Sequence, residues 1–444
     1  MGRPDIVCFS HLRWDFVFQR PNHLMARAAR DRRVFFIEEP VFSGADGDER
    51  TPATAIPTLD TRVRAGVVVL TPQLSTGLDE RSVERLLRRL VDDFLATMGV
   101  EAPVLWYYTP MALPWTRHLP SAAVAYDCMD QLSAFDGAAP ELMTLEAELL
   151  SRADVVFTGG HRLYQAKRVS NSNVHAFPSA VDVAHFSQAR APQGDPDDQA
   201  GLARPRLGFF GVLDERIDFD LLRGVAEMRP DWQIVLVGPT AKIRPEAMPR
   251  AVNLHYLGGR SYEDLPRYLA GWDVAIMPFA RNAATEYISP TKTPEYLAGG
   301  RAVVSTSIHD VVASYGKSGL VRIADEPADF VRAVEAALAE DTEARWPEID
   351  GYIGATSWDS TWAAMADLVQ AATRSAPVAT APSRPVQPVA PARRPQPVPS
   401  MPAAAMSGPS AGPGGGDAPA ATWSQATPTS LSSVDGRLDV GGGE

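Results

Sequence analysis

The stretch Ser289-Pro290-Thr291-Lys292-Thr293-Pro294-Glu295-Tyr296-Leu297-Ala298-Gly299-Gly300, followed by Arg301-Ala302-Val303-Val304-Ser305, joins a helix to an apolar strand. Ser289 is placed to cap that helix, with Pro290 as its first residue, where no N–H is needed. The free N–H groups of the first turn then point outward, and Lys292 adds a full positive charge beside them. Such a helix start is an anion site. Lys292 and Glu295 are three residues apart and share a face, so a carboxylate lies next to the cation.

Outward from this unit, strands and helices alternate along most of the chain. Apolar runs rich in branched residues recur at residues 5–9, 34–37, 67–70, 104–108, 122–126 and 155–158. Between them lie helical spacings, with Leu142, Leu145 and Leu149 on one face and Leu86, Leu90 and Phe94 on another. A polar segment, 187–206, interrupts the series, which resumes with strands at 207–210, 233–237, 274–277 and 302–305. The pattern predicts α/β architecture: two parallel sheets, each with helices on both faces. The two halves, residues 1–187 and 205–350, then enclose a cleft, and each presents to it the loops beyond the carboxyl ends of its strands.

A last helix is expected at 357–374. Trp358, Trp362, Met365 and Val369 recur on one face, Ser357 is placed as its cap, and the apolar stripe should cross back over the seam between the halves. Composition then changes. Residues 376–444 hold 13 of the 38 prolines but eight Leu, Ile, Val or Phe in 69 positions, too few to offset the entropy of ordering. A disordered Pro/Ala/Gly-rich tail is expected there.

The whole chain has 444 residues, 45% hydrophobic and 22% charged, with 54 acidic and 42 basic side chains and a net charge of -12. That balance argues against a protein built to grip nucleic-acid phosphates, so no nucleic-acid partner is expected. Two cysteines, Cys8 and Cys128, cannot make a disulfide framework or a thiolate zinc site. No run approaches the roughly 20 apolar residues of a membrane span, and the N-terminus carries no export pattern, so a cytoplasmic location is expected. The arginines at 81, 85, 88 and 89, and those at 27, 30, 32 and 33, raise the expectation of peripheral contact with an anionic membrane at its inner face.

A second constellation, Gly208-Phe209-Phe210-Gly211-Val212-Leu213-Asp214-Glu215-Arg216-Ile217-Asp218, is a strand, a glycine that permits close approach, and a cation. Arg216 can bond a diphosphate bidentately. Together with Lys292, and with Glu295 able to accept from ribose hydroxyls, it asks for a nucleoside diphosphate.

With these motifs in order, the second half resembles the donor-binding domain of GT-B glycosyltransferases close to the family 4 group. Val181-Asp182-Val183-Ala184-His185-Phe186, Val235-Leu236-Val237-Gly238-Pro239, Tyr256-Leu257-Gly258 and Asp273-Val274-Ala275-Ile276-Met277-Pro278 carry the resemblance too. In the first half, Trp14-Asp15-Phe16-Val17-Phe18-Gln19-Arg20-Pro21 is similar to a subgroup of bacterial cell-surface polysaccharide enzymes. The resemblance implies the GT-B fold, two Rossmann-like domains facing a cleft, with a crossover helix. It implies transfer of a sugar from a nucleoside-diphosphate sugar, the co-substrate, to a hydroxyl of a saccharide or lipid-linked saccharide, with no metal or other cofactor. It places Arg216 and Lys292 on the diphosphate, Gly211 where the phosphates approach, Glu295 on the ribose, and Gly238, Tyr256 and Leu257 near the base. Ser289, Thr291 and Thr293 complete the expected donor set. The family usually has a second glutamate eight positions before Glu295; here that position is Tyr287, and Glu286 is the neighbouring candidate for a catalytic role.

In the first half, Tyr126-Asp127-Cys128-Met129-Asp130 ends a strand at the cleft. Asp127 or Asp130 could take the proton of an acceptor hydroxyl or steady developing positive charge. His11, Trp14, Gln19, Arg20 and His23 form a polar-aromatic cluster after the first strand, expected to line the acceptor pocket, with Trp14 offering its face to a sugar ring. Two other readings share the architecture: a nucleotide-sugar epimerase, and a non-catalytic scaffold acting through its tail.

Overall fold

The computed structural model describes residues 3–43 and 56–375; the tail expected at 376–444 lies outside the described residues. The described chain contains two sheets. The first is built from β1 (Ile6–Ser10), β2 (Val34–Glu38), β3 (Val41–Ser43), β4 (Thr58–Arg64), β5 (Val67–Ser75), β6 (Val104–Tyr107), β7 (Ala123–Cys128), β8 (Val155–Thr158) and β9 (Val174–Ala176). Its order is β3-β5-β2-β1-β6-β7-β8-β9, all parallel, with β4 hairpinned antiparallel onto β5. The second sheet contains β10 (Arg206–Phe210), β11 (Gln233–Val237), β12 (Leu254–Gly258), β13 (Val274–Met277), β14 (Ala302–Ser305) and β15 (Val321–Ile323), in the order β12-β11-β10-β13-β14-β15.

Strands β1 and β10 are buried at every position. That is why they read as continuous apolar runs rather than alternating ones. β4 is mostly exposed, with Leu59 and Arg62 half-buried, and carries Asp60, Arg62 and Arg64, so no apolar pattern marks it. Its turn onto β5 uses Ala65 and Gly66, both with positive φ (49° and 81°), the conformation a tight two-residue hairpin needs.

In each sheet the order reverses at one place, between β1 and β6 and between β10 and β13. The loops leaving those strands therefore diverge and open a crevice. Gly208 lets Trp272 lie flat on β10, because a Cβ there would overlap the indole. This buries the aromatic under the strand that carries the candidate cation loop.

Three details of the structure bear on the sequence reading. The fully buried stripe of helix Glu80–Thr97 is Val83, Leu87, Val91 and Leu95, and Leu86, Leu90 and Phe94 flank it half-buried. Residues 187–206 are not a free linker. Gln199 is fully buried, Arg206 pairs with Asp195 at 2.7 Å and Arg190 with Asp350 at 2.6 Å, so the polar side chains clamp the segment onto the second half. Finally, the arginines named for membrane contact are largely paired with carboxylates: Arg27 and Arg30 with Asp359, Arg33 with Asp5, and Arg88 and Arg89 with Asp92 and Asp93. Among the described residues no helix is long and apolar enough to cross a membrane.

The terminal helix, Trp358–Ser375, starts at Ser357, whose hydroxyl accepts the Ser360 N–H at 3.1 Å. Its Trp358, Trp362, Met365 and Val369 join the first half's core beside Ile6, Trp106 and Phe157.

Candidate active site

The cleft between the halves is lined on one side by Val17, Arg20, Met129 and Asp130 and on the other by Arg216, Ser289, Thr291 and Lys292. About 720 Å³ of free space, part of it open to solvent, lies between them. Arg216 and Lys292 thus face one crevice, the arrangement the sequence reading required of them. Arg216 stands on the loop after β10. Asp214 holds its guanidinium by two nearly parallel contacts of 2.9 and 2.6 Å, an anchor that nothing in the spacing of the sequence had singled out. Burial opposes the charge on Arg216, but the Asp214 hydrogen bonds outweigh it and strengthen its hold on the proton.

The helix carrying Lys292 begins later than expected. It spans Lys292–Ala298, with Thr291 as the residue before it. Had Pro290 been the first residue, its carbonyl would need the N–H of residue 294, and Pro294 has none. The first i to i+4 bond is therefore Glu295 N–H to the Thr291 carbonyl at 3.3 Å, and Ser289 is not the cap. Ser289 instead lines the cleft beside Gly160 of the first half.

Lys292 has no carboxylate within ion-pair distance among the described residues; its ammonium touches only the Thr291 hydroxyl at 3.3 Å. Burial lowers its pKa, with Glu295 pulling the other way. Gly211 makes room for it, since a Cβ there would lie 2.8 Å from the Lys292 Cε. Glu295 is 9% exposed and its carboxylate has no hydrogen-bond partner among the described residues. Burial pushes its pKa up to about 7 against the attraction of Lys292. A half-buried cation and a buried carboxylate with no ion pair among the described residues are groups of the kind a charged, hydroxylated ligand satisfies.

Several expected site residues are committed elsewhere. Thr293 is fully buried and donates its hydroxyl to the Met277 sulfur at 3.1 Å, so it does not face the cleft. Gly238 follows β11 against the Gly211 carbonyl, Tyr256 and Leu257 lie within β12, and the Tyr256 hydroxyl donates to the Pro249 carbonyl at 2.9 Å. Glu286 pairs with Arg162 of the first half at 2.6 Å.

Asp127 and Asp130, three residues apart, part company. Asp127 is fully buried and takes the Arg20 guanidinium on both oxygens at 2.9–3.1 Å, so it is a structural counter-ion and not a free base. Arg20 is correspondingly a buried tether, donating also to the Phe177 carbonyl at 2.7 Å. Asp130 makes no side-chain hydrogen bond among the described residues and faces Arg216 and Lys292. Burial raises its pKa, opposed chiefly by Arg216.

The acceptor-side cluster is likewise divided. The Trp14 ring is 6% exposed and packs edge-on against Phe36 at 5.1 Å, so it cannot serve as a sugar platform; its apolar surface went to the core. Gln19 donates its backbone N–H to Asn22 at the start of helix Arg20–Ala28. His11 keeps a buried Nδ1 with no partner among the described residues, and burial lowers its pKa to about 4, so it is neutral at pH 7. Across the cleft, Phe135 lies 5.6 Å from the Arg216 guanidinium and 5.9 Å from the Lys242 ammonium.

Residues 204–340 match the family Glycosyl transferases group 1. Over 295 residues the chain is 26% identical to the Bacillus subtilis (strain 168) protein named as the teichuronic acid biosynthesis glycosyltransferase TuaH, covering 61% of this chain and 72% of that one. Among solved structures, the fold matches sucrose-phosphate synthase from Thermosynechococcus elongatus with a TM-score of 0.62 at 14% identity, over 84% of this chain and all of that one. It matches an Escherichia coli trehalose-6-phosphate protein bound with UDP-2-fluoro glucose with a TM-score of 0.57 at 15% identity, over 82% of this chain and 99% of that one. Two Rossmann-like sheets thus flank one cleft in the GT-B arrangement, and residues 204–340 match the group 1 glycosyl transferase domain.

Proposed function

We propose that the protein transfers a sugar from a nucleoside-diphosphate sugar to a hydroxyl of a saccharide or lipid-linked saccharide in cell-envelope polysaccharide synthesis. The observation that carries this reading is the meeting of Arg216 and Lys292 in one cleft, opposite the unpaired carboxylate of Asp130. The similarity to a teichuronic acid enzyme supports the pathway class.

In this reading Arg216 and Lys292 bind the diphosphate, and Glu295 accepts from the ribose. As the anomeric C–O bond breaks, its electron pair stays on the phosphate oxygen, where negative charge grows. Two cations already fixed in place, one by Asp214 and one by packing against Gly211, stabilise that charge without rearranging. The sugar gains oxocarbenium character, and the acceptor oxygen attacks the anomeric carbon. Asp130, whose carboxyl is held above its ordinary pKa by burial, takes the hydroxyl proton.

Calorimetric titration with UDP and with GDP tests the reading. Binding of one of them, weakened about 10- to 100-fold by Arg216→Ala or Lys292→Ala, is the expected result, in line with charged hydrogen bonds of about 1.5–3 kcal/mol. No binding of either, or binding untouched by both substitutions, overturns it.

A further inference from the structure

We propose that Asp310 is an interdomain latch: it reaches from the second half to cap a helix of the first, and so positions the Lys292 loop against Asp130 for turnover. The inference rests on the transferase reading for the word turnover, but the contact itself does not depend on it. Asp310 follows β14 and is 3% exposed. One carboxylate oxygen accepts the His161 N–H at 2.8 Å and the other the Arg162 N–H at 3.2 Å. These are the first two residues of helix His161–Lys167, in the first half. Within its own half Asp310 has one hydrogen-bond partner among the described residues, the neighbouring His309 at 2.9 Å. Its remaining partners exist only while the halves are together.

The neighbours are shaped for the same approach. A Cβ on Gly160 would overlap the Asp310 carboxylate and lie 2.8 Å from the Ser289 Cβ, so only a bare backbone admits the contact. Arg162, whose N–H Asp310 caps, sends its side chain back to Glu286 at 2.6 Å and over the Tyr287 ring at 5.7 Å. Thus the start of one first-half helix is held twice by the second half, by Asp310 at its backbone and, at the Arg162 side chain, by Glu286 and Tyr287, shortly before Lys292 in the chain. If the halves part, the first-turn N–H groups of that helix and a carboxylate must all be rehydrated together. The latch therefore favours the closed cleft without touching the diphosphate-binding cations.

The latch is a positioning device, so its loss should change shape and rate but not nucleotide affinity. Asp310→Ala and Gly160→Ala are compared with the intact chain by small-angle scattering, by calorimetry with UDP and GDP, and by release of nucleoside diphosphate from UDP- and GDP-linked hexoses. A larger radius of gyration in the absence of ligand, at least tenfold slower release and a dissociation constant within threefold are expected. Asp310→Asn, which keeps one accepting oxygen, should restore part of the rate. If Asp310→Ala does not fold, Gly160→Ala and the half-exposed pair substitution Glu286→Gln carry the same three readouts. Unchanged scattering and unchanged release in the folded variants overturn the latch. Failure of the intact chain to bind either nucleotide overturns the donor reading instead, and leaves the scattering comparison to decide the latch alone.

Discussion

The Arg20 guanidinium meets both carboxylate oxygens of Asp127, at 2.9–3.1 Å, in a pair that is almost wholly removed from water. It joins helix Arg20–Ala28 to the end of β7, directly beneath the cleft. Removing one partner leaves an uncompensated charge, which typically costs about 3–5 kcal/mol. Asp127→Ala should accordingly lower the urea midpoint of unfolding by that equivalent. A midpoint equal to the wild type would show that Asp127 is not the counter-ion of Arg20.

Asp130 is expected to behave in the opposite way. It carries no side-chain hydrogen bond among the described residues, so Asp130→Asn should leave stability within about 1 kcal/mol. If it takes the acceptor proton, the same change should slow turnover by about 10²- to 10⁴-fold while nucleotide affinity holds. Steady-state release of nucleoside diphosphate, measured beside a thermal melt, separates the two aspartates. Equal effects on melt and rate would remove Asp130 from the chemistry.

Glu295 supplies a pH signature. Its folded pKa is raised by burial to about 7 from an ordinary 4.5, so the folded state prefers the neutral carboxyl. The contribution to stability is therefore complete below pH 4.5 and is lost as pH rises through 7. Glu295→Gln has no proton to lose there. Relative to the wild type it should gain at most about 3 kcal/mol between those pH values, at 1.36 kcal/mol per pKa unit. Denaturation series at pH 5 and pH 8 read the difference, and parallel curves for the two proteins would contradict the buried, unpaired carboxylate.

Much of this site could be read before any coordinates, because its strands are buried on both faces and announce themselves as apolar runs. Arg216 is legible as a cation on the loop that follows an apolar strand, and Lys292 as a cation at a helix start. What escaped notice depended on the other half of the molecule. Nothing near Asp310 in the chain says that its partners are 148 and 149 residues earlier. Thr293 and Trp14 misled for the complementary reason: a hydroxyl and an indole suit either a ligand or a core, and packing decided for the core. The helix starts at Lys292 and not at Pro290, although Pro290 suits a first position, because Pro294 withholds the N–H that an earlier start needs.

Gly211 and Gly238 should fail differently when a methyl is added. At Gly211 the new Cβ meets the Cε of Lys292 at 2.8 Å, the far end of a flexible chain that can swing aside. The methyl also meets the Phe209 ring at 3.0 Å and sits at a backbone φ of +150°, and the ammonium leaves its place over the cleft. At Gly238 the Cβ would overlap the backbone carbonyl of Gly211, which is tied into the loops after β10 and β11 and cannot turn away alone. Overpacking against backbone costs typically about 1–3 kcal/mol. Both glycines hold a φ near +150°, so both substitutions should lower the melting temperature, Gly238→Ala the more, while Gly211→Ala should also weaken nucleotide binding about tenfold. Both variants are read by calorimetry and thermal melts. A Gly211→Ala protein that binds nucleotide as tightly as the wild type would mean that the placement of Lys292 is not what holds the ligand.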